Sequence, residues 1–464
     1  MAPPHPLSPW TWLTQIAFVA PLAVFLFVYG PAVGHGFISD DFGWIVQSRI
    51  HSLADGIALF EKNHGFYRPI VGLSFAANYA LFGNRPLGYG LTNLGLCLFC
   101  AVLIVMAFRA LGLTRGAALF GAAVWLLNFH GINMALLWVS GRSALLLVAT
   151  SVAAVLALLR GHVLLSIGSL ALALLSKEEA VLLPIVMFGC LYANMRDGRS
   201  AISRRAGALL ILGVVLDLAV YAWLRTHSGA MTPATAPYYY RFTFSPSLIV
   251  RNMAEYADRA GTFAAGVTLL AWAILRPRTV ALGVRWRVIG CGIVWVVCGY
   301  AITVFLPSRS SLYACFPAVG TALVAAEICS RLWNAAEPKA RQAALAAVVI
   351  VPTVCAPIYL SRNHRWVDLA KSSTVVLTDI ATLTTSLPTG ATLVLIDDRS
   401  RRINIQSMFG ALITDAVALA TGRQFHVLVQ PPLRDAARSS VEPPCRSCEA
   451  VRIRLQDGHL TLSQ

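Results

Sequence analysis

Two adjacent acidic residues, Asp40 and Asp41, carry the first side-chain charges of the chain. They follow an apolar run from Trp12 to Val33 that is long enough to cross a bilayer. A carboxylate pair at the end of a membrane helix is costly unless a polar function requires it. One carboxylate could act as a base towards a hydroxyl while the other orients it or lies near a metal ion. The alternative is a solvated helix terminus at which the two carboxylates have no chemical role.

Cationic side chains occur later in the chain, near the ends of other apolar segments. They are Arg68 in Tyr67-Arg68-Pro69, His130, Arg142 after Gly141, Lys177 in Ser176-Lys177-Glu178-Glu179, and Arg309 after Ser308. Guanidinium groups suit bidentate contact with phosphate, and an ammonium group adds a point charge. We therefore expect an anion to bind here. The alternatives are a turn at Tyr67-Arg68-Pro69, a structural Lys177–Glu178 ion pair, and an Arg309 that only anchors lipid headgroups.

The composition predicts the elements that must position these residues. The chain is 57% hydrophobic and 12% charged, with a mean hydropathy of +0.67, whereas soluble domains carry about 25% charged residues. We therefore predict an all-α polytopic membrane protein. The net charge of +16 is almost entirely arginine, and no basic run is interleaved with aromatic residues. This pattern argues against nucleic-acid binding.

About 11 apolar segments could form transmembrane helices. They are residues 12–33, 87–108, 116–138, 142–159, 163–175, 180–194, 206–225, 260–275, 288–306, 311–330 and 342–360. Arginines concentrate in alternate loops, which identifies those loops as cytoplasmic. If 163–194 were one crossing, the arginines from Arg196 to Arg205 would lie outside, so two short crossings fit better. This topology places Asp40, Asp41 and the cationic residues on the outer face.

Two outer loops are long enough to hold structure of their own. The first, residues 34–85, contains an amphipathic stretch from Ile45 to Phe60 that predicts short helices lying along the membrane surface. The second, from Thr226 to Arg259, carries three consecutive tyrosines at 238–240 and a predicted helix from Leu248 to Ala260. We interpret the tyrosines as an interfacial belt rather than a substrate platform.

The last hundred or so residues have the composition of a soluble domain. We divide the chain into a membrane domain, 1–360, and an extracytoplasmic α/β domain, 361–464. Predicted elements in the second domain are strands at 392–396 and 425–429, a helix at 405–420, and a terminal hairpin of 451–455 with 460–462. Cys445 and Cys448 are interpreted as a disulfide rather than as a redox or zinc site.

Together these motifs resemble the GT-C superfamily of polyprenyl-phosphate-sugar glycosyltransferases. The relevant features are the acidic pair after the first helix, Tyr-Arg-Pro, His with Gly-Arg before the fourth helix, Ser-Lys-Glu between two short helices, and Pro-x-Arg-x-x-x-Tyr ending at Tyr313. The pattern is most similar to protein O-mannosyltransferases and to the bacterial transmembrane proteins with tetratricopeptide repeats, although no such repeat is present here. The resemblance covers residues 12–200 and 300–330.

The resemblance implies roles for individual residues. The first-loop acid of that family is the catalytic base, which implies Asp40 or Asp41 here. Its lipid-phosphate and donor ligands imply Tyr67, Arg68, Arg142, Lys177, Glu178 and Arg309. His130 departs from the family pattern, because Gly131 replaces a proline and Ala135 replaces a glutamate.

The resulting hypothesis is an inverting glycosyltransferase of the bacterial inner membrane whose site faces outward. Its partners would be a polyprenyl-phosphate-linked sugar donor, the lipid bilayer, and an extracytoplasmic acceptor that is a cell-envelope glycan, a lipid or a protein. No cofactor is required by the residues, although Mg²⁺ or Mn²⁺ could assist. The alternatives are a transporter or flippase of lipid-linked sugars and a non-catalytic envelope assembly protein. A flippase would favour two similar halves, which the sequence does not show.

Overall fold

The computed structural model describes residues 9–61, 65–199, 202–232, 235–276, 283–397, 402–430, 450–456 and 459–462. Its helices begin with α1 Pro9–Tyr29, α2 Asp40–Gln47, α3 Leu53–Glu61, α4 Pro69–Phe82, α5 Pro86–Ala110 and α6 Arg115–Leu126. They continue with α7 Gly131–Leu137, α8 Arg142–Leu159, α9 Val163–Leu174, α10 Leu183–Arg196, α11 Arg204–His227 and α12 Pro246–Leu275. The last five are α13 Trp286–Tyr300, α14 Pro317–Ala335, α15 Pro338–Leu383, α16 Ile405–Phe409 and α17 Ile413–Thr421. The predicted apolar segments all fall on helices.

Five helical stretches in the described part of the chain are long and apolar enough to cross a membrane. They are Pro86–Ala110, Val139–Leu159, Glu178–Arg196, Arg204–His227 and Pro338–Leu383. The pair α6 and α7 would make a sixth if it is one broken span, and α9 and α13 are shorter apolar helices. The number of crossings, about 11 by the arginine pattern, stays a prediction.

Two predicted helix boundaries were wrong. The segment 116–138 is not one helix, because α6 and α7 meet at an angle of 65°. Asn128 causes the break, since its side-chain oxygen accepts hydrogen bonds from the backbone N–H groups of His130 and Gly131. The predicted helix 248–260 and the next apolar segment form the single helix α12. Helix α15 runs 46 residues, so the division of the chain at residue 360 falls within one helix and stays a prediction.

The C-terminal unit is α/β, as predicted. Its sheet has the order β2-β1-β3-β4, with β1 Thr392–Ile396, β2 His426–Gln430, β3 Ala450–Gln456 and β4 His459–Leu462. Strand β1 is parallel to both β2 and β3, while β3 and β4 form the predicted antiparallel hairpin. The single helix predicted at 405–420 was wrong, because Gly410 adopts a positive φ of 56° and separates α16 from α17.

Two apolar cores organise the protein. The larger core fills the space between the membrane helices, where α8 is the most enclosed candidate span. The second core joins the first-loop helices to the C-terminal unit and contains Phe42, Phe75, Val376, Leu395 and Phe409. Short helices α2, α3 and α4 fill the first loop, as the amphipathic pattern predicted. The loop that carries the acidic pair is thus packed against the C-terminal unit.

Candidate functional site

The two acidic residues of the first loop have different environments. Asp41 is fully buried, and Oδ1 accepts hydrogen bonds from the backbone N–H of Ser140 at 2.7 Å and from its hydroxyl. Its Oδ2 accepts one from the backbone N–H of Ile38 at 3.0 Å. Asp40 is exposed and makes no side-chain hydrogen bond to the described residues. Of the two, only Asp40 is therefore free to meet a substrate.

The electrostatics of the pair follow from this difference. Burial raises the pKa of Asp41 to about 7, against the opposing hydrogen bonds from Ser140 and Ile38. Enough protein surrounds Asp40 for desolvation to raise the pKa of its carboxyl as well, and the positive charge of Arg68 opposes that rise. A base with a raised pKa accepts a proton more readily than an ordinary aspartate.

Arg68 lies within electrostatic range of this carboxylate and is oriented by Glu178. Its Nε donates to Glu178 Oε2 at 3.0 Å and its Nη2 donates to Glu178 Oε1 at 2.6 Å. The guanidinium carbon also lies 4.0 Å from the ring centre of Phe66. A backbone hydrogen bond from Ile70 to Leu175 O, 3.2 Å long, fastens the start of α4 beside the Lys177-Glu178 segment. Nη1 has no hydrogen-bond partner among the described residues, so this edge of the Arg68 guanidinium group remains available for an anion.

Lys177 provides a second cation in the same region. It is almost completely buried, is paired with the equally buried Glu179, and lies 5.0 Å from the ring centre of Tyr313. Glu179 Oε2 is buried without a hydrogen-bond partner among the described residues. In each of the adjacent pairs Arg68–Glu178 and Lys177–Glu179, the glutamate therefore neutralises the cation before any ligand binds. An incoming phosphate would have to share these cations with the two glutamates.

An aromatic wall borders the cluster, and the sequence interpretation missed its importance. Tyr240 packs 5.0 Å from the ring of Phe66, on which Arg68 also lies. Burial raises the pKa of Tyr240 to about 12, with Arg68 opposing and Asp40 contributing. Tyr240 thus lies within electrostatic reach of both charges and is not only part of an interfacial belt. Its sequence signal is weak, because it is one of three consecutive tyrosines.

Arg309 lies at the margin of this region. Its guanidinium pairs with Glu255 of α12, a carboxylate that also pairs with Arg251 and Arg259. The backbone N–H of Ser308 donates to Tyr239 O at 3.0 Å, which holds the Arg309 segment beside the tyrosines. Arg309 is one of three arginines around one glutamate, and it does not contact the Arg68–Glu178 pair directly.

Arg142 is enclosed by polar groups of its own and has no hydrogen bond to the Arg68–Glu178 or Lys177–Glu179 pair among the described residues. Arg142 is fully buried and donates to Asn93 Oδ1 at 3.0 Å, to Asn78 Oδ1, and to the backbone oxygens of Ser74 and Tyr89. This enclosure favours a structural role over phosphate binding.

Tyr67 directly precedes Arg68 and is enclosed, whereas His130 lies at a different helix junction. Tyr67 is fully buried with its ring 6.1 Å from that of Tyr221. His130 lies at the α6–α7 break, with Nε2 3.8 Å from Asp258 Oδ2. The glycine that follows it is required by close packing, because a Cβ at Gly131 would lie 2.7 Å from Cys315 N. The role of each as a ligand stays a prediction.

The divalent metal ion and the disulfide stay predictions. Within the described ranges, no group of three or more His, Cys, Asp and Glu side chains could hold a metal ion. The pair Cys445 and Cys448 lies outside the described residues.

Comparison with known proteins identifies the fold. Neither a protein-family model nor a curated protein sequence matches the chain. The crystal structure of ArnT from Cupriavidus metallidurans bound to undecaprenyl phosphate is similar at 13% identity, covering 97% of this chain and 94% of that chain with a TM-score of 0.55. The same ArnT in the apo state is similar at 13% identity over 91% of this chain and 87% of that chain, with a TM-score of 0.52.

The chain has a GT-C fold. The similarity extends over nearly the whole chain and therefore includes the C-terminal unit, which the motifs alone did not cover. The predicted fold class is confirmed, and the GT-C fold and the apolar helices are those of an integral membrane protein.

Within this GT-C fold, Asp41 is expected to make stability depend on pH. Its folded-state pKa of about 7 lies above the ordinary 3.8, so the folded protein keeps a proton that the unfolded chain releases between these values. This stabilisation is complete below about pH 4 and is lost as the pH rises through 7. The midpoint of thermal unfolding in detergent should therefore fall more steeply from pH 4 to 7 in wild type than in Asp41→Asn. Parallel pH profiles for the two proteins would contradict this expectation.

Proposed function

We propose that this protein is an integral membrane glycosyltransferase that uses a polyprenyl-phosphate-linked sugar. It transfers the sugar with inversion to an acceptor hydroxyl on the outer face of the bacterial cytoplasmic membrane. The acceptor belongs to a cell-envelope glycan, a lipid or a protein. The C-terminal α/β domain, residues 361–464, lies on the same face.

One observation carries the proposal. An exposed carboxylate, Asp40, lies within the field of Arg68, whose guanidinium is oriented by Glu178 more than a hundred residues away. Lys177 adds a second cation from the residue next to Glu178. A base and a guanidinium group suited to phosphate therefore lie within electrostatic range of each other, although they come from separate segments. The structural similarity to an ArnT with bound undecaprenyl phosphate supports the same class of lipid here.

The chemistry of this arrangement is a single displacement. Asp40 takes the proton of the acceptor hydroxyl. At the same time, the hydroxyl oxygen of the acceptor forms a bond to the anomeric carbon of the sugar. The bond from that carbon to the phosphate oxygen breaks, and the polyprenyl phosphate leaves with the electron pair. The free Nη1 edge of Arg68 and the ammonium of Lys177 stabilise the charge on the leaving phosphate. Attack opposite the leaving group inverts the anomeric configuration.

The roles of the remaining polar groups follow from their contacts. Glu178 fixes the plane of the Arg68 guanidinium, and Glu179 holds Lys177 in a buried position. Asp41 braces the loop against Ser140 and is not itself the base. Asp40 and Arg68 thus act on the substrates directly, while Asp41, Glu178 and Glu179 hold the loop and the two cations in position.

The test combines ligand binding with analysis of cellular glycans. Purified protein in nanodiscs is expected to bind undecaprenyl phosphate and to be stabilised against heat by it. Mass spectrometry of cells with and without the gene should show, in the mutant, an accumulated polyprenyl-phosphate sugar together with one shortened glycan. No binding and unchanged glycans would refute the proposal. Donor accumulating on the cytoplasmic side alone would instead indicate a flippase.

A further inference from the structure

The acidic pair is presented by a strained turn. Residues Ile38 to Asp41 form a β-turn closed by a 3.0 Å hydrogen bond from the Asp41 N–H to Ile38 O. Ser39, its first central residue, has φ 46° and ψ −121°. These are the angles of a type II′ turn, where glycine is strongly preferred because a Cβ is strained at positive φ. Such a conformation persists only when surrounding structure fixes it.

The C-terminal unit provides part of this fixation. The backbone N–H of Ser39 donates to Met408 O of α16 at 2.7 Å. The ring of Phe42, in the first turn of α2, lies 5.6 Å from the ring of Phe409. A Cβ built on Gly43 would lie 3.0 Å from a methyl group of Leu412, so α2 packs directly on this region. The residues that make these contacts, Ser39, Phe42 and Gly43, lie on both sides of Asp40 in the chain.

The other side of the turn is held by the segment before α8 and by the C-terminal part of α15. Asp41 accepts its hydrogen bonds from Ser140, just before α8. Gly36 has φ +128°, and a Cβ there would lie 2.9 Å from Ala370 O of α15. The turn is therefore held in place on both sides by residues from distant parts of the chain. Of its two acidic side chains, Asp40 is the one without a hydrogen bond to the described residues.

We infer that the C-terminal α/β unit is a positioning element for the base, acting on Asp40 through Ser39 and through the α2 contact with Phe409. This inference rests on the proposed function. The unit would fix where the carboxylate stands relative to Arg68, whether or not it also binds an acceptor. Ser39 and Phe409 are positioning residues, because neither reaches the reacting atoms.

Substitutions at position 39 test the turn itself. Ser39→Val should lower kcat by about 100-fold, because a β-branched residue resists positive φ and a shift of about 1 Å at a reacting group has effects of this size. The KM for the donor should change little, since Arg68 and Lys177 are untouched. Ser39→Gly keeps the N–H and removes the strain, so it should retain a kcat close to that of wild type. Equal kcat values for the valine and glycine variants would overturn the inference.

Substitution of Phe409 tests the role of the C-terminal unit. Phe409→Ala should lower kcat without raising the donor KM. The matched control, Leu393→Ala, removes a buried side chain of the same apolar core from β1 and leaves the Phe42–Phe409 ring contact in place. Hydrogen exchange without substrate should show faster exchange of residues 37–44 in Phe409→Ala than in Leu393→Ala. Equal exchange in both variants would overturn the inference even if transfer is intact. Absence of transfer in wild type would refute the proposed function but not this inference, because the hydrogen-exchange measurement does not depend on transfer.

Discussion

Asp40→Asn is expected to lower kcat by about 10²- to 10⁴-fold, the usual contribution of a general base. The amide cannot accept the proton of the acceptor hydroxyl, yet it has nearly the same shape as the carboxylate. Because Asp40 is exposed and makes no side-chain hydrogen bond to the described residues, the substitution should leave the fold intact. Donor binding should change little. The measurement is steady-state transfer, with the thermal unfolding midpoint recorded for the same preparation.

The pH profile provides a second check on Asp40. Desolvation raises the pKa of this carboxyl, so its protonated, inactive form should persist to higher pH than for an ordinary aspartate. The wild-type kcat/KM should therefore fall on the acid side of the profile as the pH decreases through that raised pKa. The residual activity of Asp40→Asn should lack this limb.

Asp41→Asn is the matched neighbour for this experiment. An asparagine there would place an NH₂ group where the carboxylate accepts hydrogen bonds from Ile38 and Ser140, so stability should fall. Lower stability together with substantial transfer per folded molecule would agree with a bracing role. If Asp41→Asn abolished transfer in folded protein while Asp40→Asn remained active, the assignment of the base would be reversed.

Arg68→Ala is expected to weaken binding of undecaprenyl phosphate by about 10- to 100-fold, the usual effect of losing a charge-assisted hydrogen bond. The reason is that Arg68 offers its free Nη1 edge to the phosphate while Glu178 fixes its other edge. The variant should also be less stable, because it leaves the enclosed Glu178 without its counter-charge. Binding can be measured by titration in nanodiscs.

Two further variants separate these effects. Arg68→Ala combined with Glu178→Gln removes both charges, so stability should recover while binding stays weak. Arg68→Lys keeps the charge but loses the planar fork, and it should bind with intermediate affinity. Wild-type affinity in the Arg68→Ala, Glu178→Gln double variant would show that the pair is structural and that the phosphate binds elsewhere.

The sequence predicted the elements of this protein well because their signals are local. A long apolar run has few favourable environments other than a membrane, so the segments from 87–108 to 342–360 fell on helices. Short apolar runs similarly predicted β1 at its observed bounds and the terminal hairpin. Each of these inferences needs only residues close together in the chain. The resemblance to the GT-C superfamily came from short motifs between Asp40 and Tyr313, each of which is recognisable on its own.

The chemical distinctions within the site depended on the tertiary structure. Asp40 and Asp41 are neighbours of identical type, and only the structure shows that Asp41 is buried and accepts hydrogen bonds from Ser140, in a distant segment. Arg142 resembled a phosphate ligand in sequence, but Asn78 and Asn93 enclose it. Burial and hydrogen-bond partners are long-range properties that composition and periodicity do not encode. The sequence by itself therefore determined the membrane helices, the α/β unit and the set of candidate residues, whereas packing decided which of those side chains remain exposed and which are enclosed.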